Sequence, residues 1–140
     1  MFVKQISVFL ENTEGRLDEV LKILAQGGID LLSVSLADTM EYGVLRLIAK
    51  DPDKAKQILK EAGFAARIDE IIVVVVPDAI GSLAKVIGLI NAAGINISYI
   101  YGLSIDGEGA PIAIKTGDNG KVVGILDAAG VKTIGTEDLQ

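Results

Sequence analysis

The sequence predicts an α+β fold in which two copies of one βαββαβ unit follow each other along the chain. The first observation is that the second half resembles the first when the chain is shifted by 66 residues. The second is that apolar residues recur in both halves with strand and helix spacing, in the same order. The chain has 140 residues, half of them apolar, which is enough for one ordinary domain or two very small ones with a buried core.

The internal repeat is marked by glycines and aliphatic residues. Gly15 falls on Gly81 and Leu17 falls on Leu83. Further coincidences follow in order with no gap: Val20 with Val86, Gly28 with Gly94, Ile29 with Ile95, Gly43 with Gly109 and Ile48 with Ile114. Any single glycine pair could arise by chance, but an ordered set is improbable. We therefore predict two domains, residues 1–68 and 69–140.

The first half opens with a strand and an amphipathic helix. Residues 3–10 are a short run with β-branched side chains, which predicts a strand. Residues 16–26 carry four apolar side chains at helical spacing, which predicts a helix. Gly27 and Gly28 supply the positive φ angle on which helices commonly end.

A hairpin, a second helix and a last strand complete the first half. Two apolar runs at residues 31–37 and 44–49, separated by a polar turn, predict the hairpin. Asp51 as N-cap and Pro52 at the first helical position predict where the second helix begins. Residues 64–68 predict the last strand of the unit.

The second half repeats this order of elements. Its predicted members are a strand at 70–76, a helix at 81–93, strands at 97–103 and 110–116, a helix at 120–129 and a strand at 131–134. The order is that of a ferredoxin-like unit, an antiparallel sheet with both helices on one face. Because almost no residues separate the two units, we expect them to pack rigidly side by side. This fold alone does not identify a function.

Composition excludes several classes of function. Thirteen Lys and Arg against nineteen Asp and Glu give a net charge of −6, which disfavours a nucleic-acid partner. The absence of cysteine and histidine removes thiolate chemistry, the commonest general base and the commonest transition-metal ligand. We therefore expect no catalytic residue, no metal and no cofactor. No signal peptide or membrane-spanning run is visible, so a cytoplasmic protein without a membrane partner is expected.

Two motifs, each present in both halves, resemble the signatures of ACT domains. The first joins a strand to a helix and has an Asn or Asp three residues before a glycine and a leucine two residues after it: Asn12, Gly15 and Leu17, then Asp78, Gly81 and Leu83. The second is a helix-ending glycine followed by an aliphatic residue and an Asp or Asn: Gly28-Ile29-Asp30 and Gly94-Ile95-Asn96. The resemblance covers essentially the whole chain.

The resemblance implies a regulatory protein that binds an amino acid. ACT domains mostly sense small molecules where two units pair, through the loop after the first strand and the start of the second strand. The ligand-binding residues that this implies are Asn12, Glu14, Gly15, Arg16, Leu17 and Asp30 in the first half, and Asp78, Ile80, Gly81, Ser82, Leu83 and Asn96 in the second. The halves differ at Arg16 and Ser82, so the two sites need not both bind.

These positions suit the chemistry of a zwitterion. A buried amino acid needs partners for its carboxylate and its ammonium group. The two loops lead into helix N-termini, which favour a carboxylate, and Asp30 or Asp78 would take the ammonium. The structural alternative is that Asn12 and Asp78 cap helices, while Asp30 and Asn96 occupy turns that such residues favour.

The predicted strands also indicate self-association. A sheet covered by helices on one face alternates apolar and polar residues if its other face meets water. Residues 71–76 are apolar throughout instead, and Leu32, Val34 and Leu36 add to the apolar surface. We therefore predict a homodimer in which sheet faces are buried. The alternative function is an interaction module that scaffolds an enzyme of amino-acid metabolism.

Overall fold

The computed structural model of the chain describes residues 2–11, 13–38, 42–104 and 107–139. The chain divides into two compact units. The N-terminal unit is Lys4–Asp69, and the C-terminal unit is Glu70–Gln140 together with Met1–Val3. Each has the βαββαβ order of elements, so the predicted α+β fold is confirmed.

The N-terminal unit contains the first three strands, two helices and the beginning of a fourth strand. In chain order these are β1 (Val3–Glu11), α1 (Arg16–Gln26), β2 (Leu31–Asp38), β3 (Tyr42–Ala49), α2 (Pro52–Glu61) and β4 (Ala65–Val76). The strands lie in the order β2-β3-β1-β4. Gly28, with a φ of +74°, follows α1. Asp51 accepts a hydrogen bond from the Lys54 amide at 3.2 Å, so the predicted N-cap of α2 is present.

The core of this unit lies between the sheet and its two helices. Ile6 and Leu47, directly opposite each other on β1 and β3, are both fully buried. Leu24 of α1 and Leu59 of α2 belong to the same buried cluster. The helices therefore cover one face of the sheet, as predicted.

The C-terminal unit repeats this arrangement from the second part of β4 onward. Its further elements are α3 (Ser82–Ala92), β5 (Ile97–Gly102), β6 (Ala110–Thr116), α4 (Asn119–Ala128), β7 (Lys132–Ile134) and a short 3-10 helix (Thr136–Leu139). Within this unit β4 pairs with β6 and β7, and β5 pairs with β6. Phe2 packs against the core of this unit, and the Thr136 hydroxyl donates to the Phe2 carbonyl at 3.4 Å.

One strand replaces two predicted ones at the boundary. The sequence predicts separate strands at 64–68 and 70–76, whereas β4 runs without a break from Ala65 to Val76. The intervening residues Asp69 and Glu70 are polar, which favours a boundary, but neither glycine nor proline interrupts the extended backbone. Charge alone does not end a strand.

The repeat also requires one extra residue in the C-terminal unit. Asp51 and Asp118 are the N-cap residues of α2 and α4, which corresponds to a shift of 67 residues. The amides of Lys50 and Gly117, which bond to the residue preceding β2 and β5 respectively, give the same shift. The prediction of a gapless repeat is therefore wrong from β3 onward, since the stretch from Asn96 to Gly117 is one residue longer than the stretch from Asp30 to Lys50.

Burial corrects the main argument for a dimer. Ile71 to Val74 are 0% exposed within this single chain, so both faces of that part of β4 are already covered. Gln5 and Ser7 on β1 are also buried, and the Gln5 amide donates to the Ser7 hydroxyl at 3.2 Å. The expectation that this apolar run needs a second copy for its burial is therefore wrong. Exposed apolar side chains do occur on β2, at Val34 and Leu36.

Candidate functional site

A tight turn joins β1 to α1, and the same turn recurs between β4 and α3. The Thr13 amide donates to the Glu11 carbonyl at 2.7 Å. At the equivalent place, the Ala79 amide donates to the Pro77 carbonyl at 2.8 Å. The motif that joins strand to helix therefore produces one backbone geometry in both units.

Glycine is required at the end of each turn. Gly15 has a φ of +87° and Gly81 a φ of +83°, a left-handed conformation that other residues rarely adopt. Both occupy the N-cap position of the following helix, and neither helix has a side-chain cap. Asp78 is therefore not the N-cap residue of α3, and the capping alternative does not apply to it.

A cavity of about 90 Å³ lies beside this turn in the N-terminal unit. It is lined by the end of β1, the turn, the start of α1 and the β2–β3 hairpin, with residues that include Leu10, Glu11, Arg16, Leu17, Leu36 and Asp38. We call it the Arg16 cavity. The lining of this small space therefore contains both leucines and charged residues.

Strand register brings the distant members of this cavity together. Leu10 on β1 and Asp38 on β2 both lie opposite Gly43 on β3. Directly opposed residues share a face of the sheet, and Leu10 belongs to the core that faces the helices. Asp38 is therefore on the helix-facing side. Glu11, one residue beyond Leu10, belongs to the opposite face by strand alternation.

Arg16, the first residue of α1, supplies the positive charge. Its Nη1 donates to the Glu19 carboxylate at 3.0 Å, and its guanidinium carbon lies 4.8 Å from the centroid of the Phe64 ring. Its Nε is buried and has no hydrogen-bond partner within the described part of the chain. Leaving a buried donor unsatisfied is costly, so this N–H lowers the stability gained from the packing of Arg16.

The acidic groups of the cavity are not neutralised by neighbours. Within the ranges that the structure describes, neither Glu11 nor Asp38 forms an ion pair, and the ion pair of Arg16 is with Glu19. Both carboxylates are on exposed residues at strand ends. The cavity thus combines the Arg16 cation with one acid on the helix-facing side of the sheet, Asp38, that could hold a cationic group.

The structure separates some residues that the sequence groups together. Arg16 and Leu17 line the cavity. Asp30 directly precedes β2, and its carboxylate lies 3.3 Å from the Lys50 ammonium nitrogen. Asp38 is the last residue of the same strand. Because eight extended residues span about 26 Å, Asp30 and Asp38 lie at opposite ends of β2. Within the N-terminal unit, Asp30 and Arg16 therefore do not meet at one site.

The other predicted site residues lie at exposed turns or outside the described residues. Asn12 lies outside the described residues. Glu14 and Gly15 in the N-terminal unit, and Asp78, Ile80, Gly81, Leu83 and Asn96 in the C-terminal unit, are exposed, while Ser82 is half-buried. These C-terminal residues surround the β4–α3 turn except for Asn96, which directly precedes β5.

The C-terminal unit lacks the charges of the Arg16 cavity. Pro77, Ser82 and Ser104 stand at the repeat positions of its three charged residues. The backbone of the turn is thus repeated, but the charged side chains are not. Chemistry that depends on an arginine beside a carboxylate is available at this turn in one unit only.

Sequence reasoning missed Leu10, Leu36 and Asp38 as site residues. Leu10 directly precedes the loop motif, whereas Leu36 and Asp38 are far from it in sequence and are brought to it by strand pairing. The sequence contains one signal for this contact. The predicted hairpin places the polar residue Asp38 at the end of its first strand. That strand runs parallel to the opening strand of the unit, so both strands end at the same edge of the sheet.

Among the described residues there is neither a group of metal ligands nor a helix that could span a membrane. Across residues 2–11, 13–38, 42–104 and 107–139, no three acidic side chains come together in a group that could hold a metal ion. Over the same ranges, every helix is too short or too polar to cross a bilayer.

The chain is similar in sequence and in fold to proteins that contain paired ACT domains. A family model described as an ACT domain pair matches residues 1–139. Protein BT0572 from Bacteroides thetaiotaomicron is 37% identical, with a TM-score of 0.91 over 99% of this chain and 96% of that chain. The regulatory subunit of aspartate kinase from Thermus thermophilus, in its ligand-free form, shares the fold at 16% identity, with a TM-score of 0.62 over 90% and 91% of the two chains. No curated protein matches in sequence.

Proposed function

This chain belongs to the ACT domain pair family, and we propose that it is a regulatory protein that binds an amino acid or a related small carboxylate. The match extends over residues 1–139, so the resemblance of its motifs to ACT domains is confirmed. The observation that carries the binding proposal is the Arg16 cavity, a small space beside the β1–α1 turn whose lining includes Arg16, Leu17 and Asp38. We assign the chain no catalytic activity.

Regulation requires that binding favours one of two states of the protein or its assembly. A ligand shifts such an equilibrium only by the difference between its affinities for the two states. An anion at Arg16 would compete with Glu19 and alter the charge above the Phe64 ring, directly before β4 begins. Ligand binding would then change either the contact with a partner protein or the self-association of the chain.

Calorimetric titration tests binding directly. We expect saturable heat when the full chain is titrated with at least one of the standard amino acids or a small monocarboxylate. A ligand that binds only the folded state, at a hundred times its dissociation constant, should also stabilise the protein by about 2.7 kcal/mol, visible as a higher melting temperature. Absence of heat and of a melting shift with every compound would contradict the proposal.

Self-association is the second part of the proposal. Among the described strands, β2 pairs with β3 alone, so it is an edge strand of its unit. Val34 and Leu36 on this strand are 50% and 52% exposed. An apolar edge strand readily pairs with another chain, which supports a homodimer. Sedimentation at micromolar concentration should therefore give twice the mass of the 14.7 kDa chain, and a monomer mass would reject the dimer.

A second candidate function is that of an interaction module for an enzyme of amino-acid metabolism. Ile80 at the β4–α3 turn is fully exposed and the nearby Leu83 is 38% exposed, which favours a protein contact at this turn. Capture of a purified candidate enzyme by the wild-type chain but not by Ile80→Ser, with ligand heat unchanged, would support this function. The cytoplasmic location stays a prediction.

A further inference from the structure

We propose that Asn119 is a site of spontaneous deamidation and that the folded junction between β6 and α4 protects it. In this reaction the side-chain amide of an asparagine loses ammonia and becomes a carboxylate. The sequence supplies the reactive pair, Asn119 followed by Gly120, and hydrogen bonds in the structure hold the amide in place. The inference is independent of ligand binding.

The neighbour of Asn119 makes it the most reactive asparagine of the chain. Glycine follows this asparagine, whereas threonine, alanine and isoleucine follow the other three. Deamidation begins when the backbone nitrogen of the next residue attacks the side-chain carbonyl carbon. Glycine has no Cβ, so it leaves that nitrogen least hindered. Asparagine is also among the residue types that heat damages.

Deamidation proceeds in two steps that consume only water. The Gly120 backbone nitrogen loses its proton and bonds to Cγ of Asn119, the Cγ–Nδ2 bond breaks, and the amide nitrogen leaves with the proton as ammonia. The product of this step is a five-membered succinimide ring. Water then adds to one of the two ring carbonyl carbons and opens the ring to aspartate or isoaspartate. Nothing is oxidised or reduced.

Hydrogen bonds at both ends hold the side-chain amide of Asn119. Its Oδ1 accepts from the Thr116 amide at 3.1 Å and from the Thr116 hydroxyl at 2.7 Å. Its Nδ2 donates to the Glu70 carbonyl at 2.8 Å. Thr116 is 4% exposed, and its hydroxyl also accepts from the Asp118 amide at 3.3 Å. The amide of Asn119 therefore links the end of β6 to β4, and it cannot turn toward Gly120 without breaking these bonds.

The backbone of the junction also opposes ring closure. Asn119 is the first residue of α4, and helical residues have a ψ angle of about −42°. A planar ring that joins Cγ to the next backbone nitrogen requires a ψ angle outside the helical region. The first turn of α4, where the Asp118 carboxylate accepts from the Lys121 amide at 3.1 Å, must therefore open first. Local openings of this kind cost less free energy than global unfolding.

Conversion removes the donor on which the link to β4 depends. A carboxylate has acceptor oxygens but no N–H, so it cannot donate to the Glu70 carbonyl. Two acceptors would then face each other where the Asn119 amide now makes a bond of 2.8 Å. The Lys115 ammonium, which donates to the same carbonyl at 3.3 Å, offsets part of the new charge. The modified junction is therefore weaker, and modified chains accumulate because the reaction is not reversed.

Incubation of the full chain at mildly alkaline pH, in buffer and in concentrated urea, tests the protection. Mass spectrometry of proteolytic peptides locates the product, because deamidation changes a peptide's mass whereas isomerisation of Asp106 before Gly107 does not. We expect Asn119 to convert at least about tenfold more slowly in buffer, which corresponds to an opening free energy of about 1.4 kcal/mol. Equal rates in buffer and in urea, or faster conversion of another asparagine in urea, would overturn the inference.

Two substitutions separate the chemistry from the protection. Gly120→Ala hinders the attacking nitrogen and should slow conversion in urea by about tenfold or more. Its Cβ would lie 3.8 Å from the Asp118 carboxylate, an ordinary contact that leaves the fold intact. Thr116→Val keeps the shape but removes the hydroxyl, so conversion in buffer should be about threefold faster or more, with the rate in urea unchanged. A wild-type rate for Gly120→Ala in urea, or for a folded Thr116→Val in buffer, would contradict the mechanism.

Asn119→Asp reproduces one product directly. We expect its melting temperature to fall by at least about 2 °C, because the bond to the Glu70 carbonyl is lost. An acidic residue in the first turn of a helix is otherwise favourable, so a decrease reports the lost bond and not the new charge. Asn96→Asp is the matched control, since it makes the same change at an exposed residue directly before β5 and should shift the melting temperature by less than half as much. Equal melting temperatures for wild type and Asn119→Asp would overturn the role of this amide in holding the junction.

Discussion

Replacing Leu47 with alanine is expected to lower the free energy of unfolding by about 2–5 kcal/mol, the range observed for fully buried leucines. Leu47 is 0% exposed and lies between Ile6 on β1 and Val34 on β2. It belongs to the buried cluster that joins the sheet to both helices of the N-terminal unit, so neighbouring side chains cannot easily fill the space left behind. Urea denaturation monitored by circular dichroism measures the change.

Val34→Ala is the matched control for this prediction. Val34 lies directly opposite Leu47 on the same face of the sheet but is 50% exposed. At protein concentrations where the chain is monomeric, its truncation should cost less than about 1 kcal/mol, because half of the side chain then contacts water. An effect on Leu47→Ala as small as that on Val34→Ala would contradict the assignment of Leu47 to the core. A large, concentration-dependent effect on Val34→Ala would instead indicate that a second copy covers β2.

The second large effect is expected for Gly109→Ala, with a loss of stability of about 2–4 kcal/mol. Gly109 has a φ of +83°, and a Cβ atom placed on it would lie 2.7 Å from the Val76 carbonyl oxygen and 2.9 Å from Cγ1 of Val75. The first of these neighbours is backbone, so it cannot move aside as a flexible side chain could. Alanine therefore adds a steric clash to the strain of a left-handed backbone.

Gly15→Ala separates these two contributions. Gly15 has a similar φ of +87°, but no atom lies within 4 Å of the position that a Cβ would occupy. Only backbone strain applies there, so the expected loss is about 1–2 kcal/mol. Denaturation of both variants under the same conditions gives the comparison. Equal losses would show that the contact of Gly109 with β4 is unimportant for stability.

The helices were predictable because local signals mark their ends. The bounds predicted for α1 agree with the structure, since a left-handed glycine precedes it and two glycines follow it. For α2, the N-cap at Asp51 and the adjacent Pro52 fix the first turn. These signals depend on residues within a few positions of each other, so a single sequence contains them.

The cavity was not predictable in the same way because its geometry depends on pairing between strands. Leu10 and Asp38 become neighbours only through the register of β1 and β2 against β3. The hairpin shows the same limit: the aligned glycines Gly43 and Gly109 appear equivalent in sequence, but only Gly109 has a positive φ. The extra residue between β5 and β6 shifts the position at which the backbone must adopt the left-handed conformation.

The placement of Phe2 determines how the duplicated halves can be divided. Phe2 belongs to the C-terminal unit, where it packs against the core and accepts a hydrogen bond from Thr136. A fragment beginning at Glu70 would lack that contribution, and a fragment ending at Asp69 would carry an aromatic residue whose packing partners are gone. Lys4–Asp69 is one continuous segment, whereas the C-terminal unit is discontinuous in sequence, so cutting the chain before Glu70 separates that unit from part of its own core.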